Sequence, residues 1–139
     1  MKRAFLVTLL IIVAVLQLSC TKAKPTRFDI VGKWGATTVT YYDANWKVDS
    51  QFEGFPNHYY NYWTFQINGA LIYQPGTSGS PEYGDYVYNV NTKELTYIYE
   101  GYKRYVKAKV IEHSPTTMTL TADLEHAGKI MYTMEKLEW

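Results

Sequence analysis

The sequence predicts an all-β domain, an up-and-down antiparallel barrel of about eight strands. Three observations carry this. β-Branched and aromatic residues recur in short alternating runs, with no sustained helical period. Turn residues separate the runs, most clearly Asn68-Gly69 and His113-Ser114-Pro115-Thr116. The runs follow one another mostly through short links, and closing them into a barrel removes the free edges that invite aggregation.

In chain order, residues 33–42 form a first strand rich in Thr and Tyr, and residues 60–67 a second. Asn68-Gly69 turns the chain into 70–74, and the dipeptide suits a type I′ turn, which needs positive φ at both central positions. Residues 83–90 and 94–100 make a hairpin around Asn91-Thr92-Lys93. Residues 104–112, 117–123 and 129–137 complete the set, with Pro115 suited to the second position of the turn between the first two. Period-two alternation assigns the faces. Val106, Ala108 and Val110 point inward, with Lys103, Lys107 and Lys109 outward. Met118, Leu120 and Ala122 point inward, with Thr117, Thr119 and Thr121 outward.

Two connections exceed what a hairpin needs. Residues 75–82 (PGTSGSPE) read as a flexible loop. Residues 43–59 carry Trp46, Phe52 and Phe55, unusual in a merely solvated segment. A link of this length suggests a lid or binding element, and the alternative is a ninth strand or a plug on the barrel end.

The start of the chain points to a compartment. Met1-Lys2-Arg3 is basic, residues 4–18 are almost wholly apolar, and Ser19 is a small residue just before Cys20. That is the layout of a secretory leader over 1–19, too short to span a bilayer as a helix. Leu16-Gln17-Leu18-Ser19-Cys20 resembles the bacterial lipobox, although that pattern prefers an aliphatic residue where Gln17 stands. The resemblance implies a diacylglyceryl group on the Cys20 thiol and a protein held to a membrane through that lipid. Residues 20–27 then form a lipidated tether, and the domain occupies 28–139. Removing 1–19 from the 139-residue chain leaves 120, enough for one self-sufficient core. The single cysteine is committed to lipid, so no disulfide supports the fold. Losing Lys2 and Arg3 leaves 12 basic against 13 acidic residues, which argues against a nucleic-acid partner. In some Gram-negative lipoproteins an acidic cluster after the cysteine resembles a surface-export tag. Thr21-Lys22-Ala23-Lys24 is basic, so the expected location is the outer membrane, facing the periplasm.

The domain resembles a family of small bacterial lipocalin-like lipoproteins. The matching segments are Ile30-Val31-Gly32-Lys33-Trp34, Trp63-Thr64-Phe65-Gln66-Ile67-Asn68-Gly69, Gly84-Asp85-Tyr86-Val87-Tyr88 and Glu94-Leu95-Thr96-Tyr97. Val106-Lys107-Ala108-Lys109-Val110, Met118-Thr119-Leu120 and Tyr132-Thr133-Met134-Glu135-Lys136-Leu137 follow in order. Gly32-Lys33-Trp34 looks like the lipocalin Gly-x-Trp, whose tryptophan packs across the closed end of the barrel. The resemblance implies a lipocalin-like barrel without enzymatic activity and transfers no particular ligand.

The chain holds 14 Tyr, 5 Phe and 4 Trp. Alternation puts Trp63 with Phe65, Tyr86 with Tyr88, and Tyr97 with Tyr99 on shared faces. With Trp34 these are the candidate lining of a calyx for a small hydrophobic or aromatic ligand. The competing reading is a filled core, because tyrosine is a good strand former and pairs well across strands. In that case exposed aromatics would meet a partner protein. Lys103, Arg104, Lys107 and Lys109 form a basic strip, best read as a solvated strand face. Catalysis finds little support. His58, His113 and His126 lie in links without metal-ligand spacing, and no nucleophile elbow or phosphate loop is present. No catalytic residue, metal or cofactor is therefore expected.

Overall fold

The computed structural model describes residues 30–54, 58–124 and 128–138. The leader, the tether with Cys20, the start of the domain at 28–29, Phe55 and His126 lie outside the described residues.

Among the described residues nine strands run in sequence: β1 Gly32–Tyr42, β2 Val48–Glu53, β3 Asn61–Phe65, β4 Ala70–Pro75, β5 Glu82–Asn89, β6 Glu94–Tyr99, β7 Val106–His113, β8 Thr117–Asp123 and β9 Lys129–Glu138. Each pairs antiparallel with its sheet neighbours, and β1 also bonds to β9 from Lys33↔Glu138 to Tyr42↔Lys129. That seam closes β1 and β3 to β9 into an eight-stranded barrel of lipocalin-like architecture. The basic strip begins one turn earlier than the strand that carries it, since β7 starts only at Val106.

β2 stands outside the closed ring and is bonded to β1 alone. The long link at 43–59 therefore contains a ninth strand. The reason lies in unequal lengths. β1 has 11 residues but β3 only 5, so β3 covers just Gly32 to Gly35. The bare N–H and C=O groups of Thr38 to Tyr42 need partners, and β2 supplies them. The two strands lie end to end along one edge of β1, joined to it by Gly54 N–H to Thr37 O (2.8 Å) and Tyr60 N–H to Ala36 O (3.0 Å). Gly35, opposite Tyr62 of β3, carries the Tyr59 ring against its backbone, where a Cβ would clash.

The turns follow local chemistry. Between β3 and β4, Asn68 keeps negative φ and only Gly69 is positive (92°), so the link is not the type I′ turn expected. Gly69 N–H bonds Gln66 O (3.0 Å), and the Asn68 side chain accepts from Ala70 N–H (3.0 Å), which favours this longer link. Between β7 and β8, the Ser114 hydroxyl accepts from Thr117 N–H at 2.9 Å, with Pro115 at the second turn position. The antiparallel order puts the links after β3, β5 and β7, together with Ile30, at one end of the barrel. The links after β1, β4, β6 and β8 are at the other.

The inner face is the alternating set: Val106, Ala108 and Val110 on β7, Met118, Leu120 and Ala122 on β8, and Ile130, Tyr132 and Met134 on β9 are all buried. Thr119, assigned to the outer face, is also buried, flanked by its cross-strand partners Glu112 and Thr133. Trp63 sits at the centre. Its ring meets Phe65, Tyr73, Tyr97, Tyr99 and Tyr132 at centroid distances of 5.0–6.1 Å, mostly edge to face. Its indole N–H is satisfied by Asn61 Oδ1 at 3.0 Å, as burial requires.

Trp63→Ala is expected to cost about 3–5 kcal/mol in denaturant unfolding, because the cavity it leaves is bounded by ring faces that cannot collapse. Trp46→Ala is expected to cost under about 1 kcal/mol, since that ring is half exposed and meets chiefly the Tyr42 ring (5.4 Å) and the Lys129 ammonium (4.8 Å).

Candidate functional site

The structure separates the predicted aromatic residues by depth. Trp34 lies at the closed end, where its indole N–H donates to Ile30 O (2.8 Å) and its ring faces His113 and the Lys136 ammonium. Tyr86 packs edge-on against Phe65 (5.0 Å) and gives its hydroxyl proton to Gln66 O (2.7 Å), which ties it to the same end. Tyr88 is half-buried beside the core. Trp63, Phe65, Tyr97 and Tyr99 do come together, but as a stack that fills the barrel. These rings touch one another instead of facing a calyx.

The site with chemistry is the open end, and alternation alone did not single it out. Tyr73 stacks on Tyr99 (4.4 Å), and Tyr102 packs edge-on against Tyr99 (4.6 Å). Above them Phe52 stacks on Tyr60 (5.6 Å) and meets Tyr41 edge-on (6.0 Å). With Tyr97 and Tyr132 below, seven tyrosines gather near this end: 41, 60, 73, 97, 99, 102 and 132. Asn61 ties the group to the core, taking the Trp63 indole proton and reaching the Tyr73 hydroxyl at 3.5 Å. The signal that could have found Tyr73 and Tyr132 was register. Each alternates with buried residues, Leu71 on β4 and Ile130 and Met134 on β9.

Burial keeps five of these phenols neutral. Burial pushes the Tyr41 hydroxyl up to about 12, helped by the Tyr60 hydroxyl beside it. Burial raises Tyr73, Tyr97, Tyr99 and Tyr132 as well, and for Tyr99 the Tyr102 hydroxyl adds to the effect. Each therefore remains an O–H donor at any physiological pH. The hydroxyls of Tyr97 and Tyr132 have no hydrogen-bond partner among the described residues, although both side chains are buried. Among the described residues, no side-chain oxygen or nitrogen is both enclosed and unpartnered.

The hairpin residues divide between two surfaces. Phe52 (45 % exposed) faces the tyrosines on the mouth side. Trp46 (50 % exposed) sits at the hairpin tip, held at φ 61° by Asp43, whose carboxylate accepts from Asn45 and Lys47 N–H. It turns to the outer wall under the Lys129 ammonium, 4.8 Å from its ring. There it borders a groove of about 350 Å³ with Thr96, Lys107, Lys109 and Thr121. Phe55 lies outside the described residues. Among the described residues, no three His, Cys, Asp or Glu side chains gather as a metal site would need.

The raised phenols make stability sensitive to alkali. Each folded-state value lies above the unfolded value near 10, so their contribution is complete below pH 10 and fades as pH climbs toward 12. A phenolate absorbance titration should show Tyr41, Tyr73, Tyr97, Tyr99 and Tyr132 ionising only together with loss of near-UV circular dichroism. A single transition near pH 10 with the fold intact would contradict this site.

No family model matches the chain, and a search of curated proteins finds no significant match, so the functional reading rests on this geometry.

Proposed function

We propose that this chain is a lipid-anchored bacterial envelope protein, held to the outer membrane through Cys20 and facing the periplasm. Its barrel is a non-catalytic binding domain that takes a small amphipathic or aromatic ligand at the tyrosine-lined end. The ligand rests on the ring edges, not deep in the barrel, because Trp63 and its neighbours fill that volume. One observation carries this reading. Among the described residues the buried Tyr97 and Tyr132 hydroxyls find no protein acceptor, and they lie beneath a wall of tyrosine rings. Such an arrangement offers apolar contact and directed hydrogen bonds together, the usual composition of a small-molecule site.

A second reading is favoured by the β1–β2 hairpin. Val48 and Phe52 are about half exposed on one strand that stands outside the barrel, and exposed aromatics of this kind anchor protein partners.

Native mass spectrometry of the protein from its own host should detect a bound small molecule. Retention should fall at least tenfold in a Tyr97→Phe/Tyr132→Phe variant, on the order of 1.4 kcal/mol or more for the lost hydrogen bonds. A wild-type protein that carries no small molecule, or a variant that retains it equally, would count against the ligand reading. A photo-crosslinker at Phe52 that captures one discrete protein in the native envelope would support the second reading. Metabolic labelling with a radioactive fatty acid, lost in Cys20→Ala, is the expected sign of the anchor.

A further inference from the structure

We propose that the closed end of the barrel is a membrane-docking face, with Ile67 and Val87 seated in the lipid surface beside the anchor. The inference rests on the lipid-anchor reading above and adds an orientation to it.

The most exposed large apolar side chains of the described chain are Val87 (70 %) and Ile67 (61 %). They are neighbours. Ile67 is in the β3–β4 link, Val87 points outward from β5, and Tyr86 N–H bonds Gly69 O at 2.9 Å to hold link and strand together. Both line one surface depression of about 260 Å³ with Asn68, Gly69, Tyr86 and Tyr88. Two aliphatic side chains held in water by ordered backbone point to a covered surface.

The place where the chain enters the domain says what covers it. Ile30 is at this same end, buried against the core and accepting the Trp34 indole proton. Cys20 precedes it by ten residues, so even a fully extended tether spans at most about 33–36 Å. The chain therefore enters the domain at the end that carries Ile67 and Val87, and the shortest path from the lipidated cysteine leads there, away from the tyrosine-lined end. Charge at this end is mixed: Lys33, Lys93 and Lys136 stand near Glu94, Glu112 and Glu138. The docking of this face is accordingly driven by apolar burial at the interface.

Orientation gives the docking a consequence. The open end is presented to the periplasm, where a ligand or partner reaches it without crossing the headgroup layer.

The test uses the full chain, processed in a bacterium and reconstituted into phosphatidylcholine vesicles. Cys20 is the only natural cysteine, so lipidation leaves none for a thiol-reactive fluorophore. Ile67→Cys and Val87→Cys then take one label each, with Tyr83→Cys as an exposed outer-wall control near the open end. Labels at 67 and 87 should emit further to the blue and be quenched severalfold more strongly by nitroxide-bearing lipid than the label at 83. Equal quenching at all three positions would overturn the docking. A blue shift at 67 and 87 without lipid quenching would show that protein covers the face, and would also overturn it. Labelling of the wild-type chain at Cys20 would instead refute the lipid anchor itself.

Discussion

The closed ring of strands depends on one packed object, the Trp63 indole and the five aromatic rings around it. An eight-stranded barrel encloses a volume that must be filled by side chains or given to a ligand. This chain fills it with aromatic carbon from β3, β4, β6 and β9, so one residue links strands that do not all pair with each other. Each edge-to-face pair adds about 0.5–1.5 kcal/mol beyond the area it buries. No disulfide shares the task, because the only cysteine lies ten residues before the described domain. Asn61 makes the arrangement tolerable by accepting the indole proton that would otherwise be stranded.

Filling the barrel with tyrosine instead of leucine has a chemical consequence. Each phenol carries a hydroxyl that needs water or an acceptor. The rings are oriented so that several hydroxyls cluster toward the open end, where burial, with neighbouring phenols adding to it, resists ionisation of Tyr41, Tyr73 and Tyr99. The core and the candidate site are thus two faces of the same residues. Stability is held by ring carbon below, and recognition is offered by oxygen above. The same polarity runs through the whole domain: turns, Trp34 and the chain's entry at one end, and hydroxyls with the β1–β2 hairpin at the other.

Much of the fold was legible in the residues. Alternation in Val106-Lys107-Ala108-Lys109-Val110 and in the Met118 to Ala122 run fixes which side of each strand is buried, and the structure agrees for these residues apart from Thr119. Strand β2 was harder to read because its role comes from β1. The run Val48 to Glu53 has no apolar face of its own and becomes a strand only because β1 outreaches β3. The Asn68-Gly69 link was misjudged for a local reason, since the Asn68 side chain is engaged with Ala70 N–H and Asn68 keeps negative φ. The site was half legible. Composition and alternation found Trp63, Phe65, Tyr97 and Tyr99, which do assemble. They could not tell a lining from a filling, because that depends on ring depth across the barrel. Tyr73, Tyr102 and Tyr132 join the group through contacts between strands distant in sequence, which no local window reports.

Aromatic rings fill the barrel, with their hydroxyl ends turned toward one end of it. Nuclear Overhauser spectroscopy on the folded protein tests this packing most directly. Cross-peaks from the Trp63 indole to the rings of Tyr73, Tyr97 and Tyr132, with water contacts confined to the hydroxyl edges of that group, are the predicted result. A Trp63 indole lacking those ring contacts and exchanging with water along its face would contradict it, because the barrel would then be hollow.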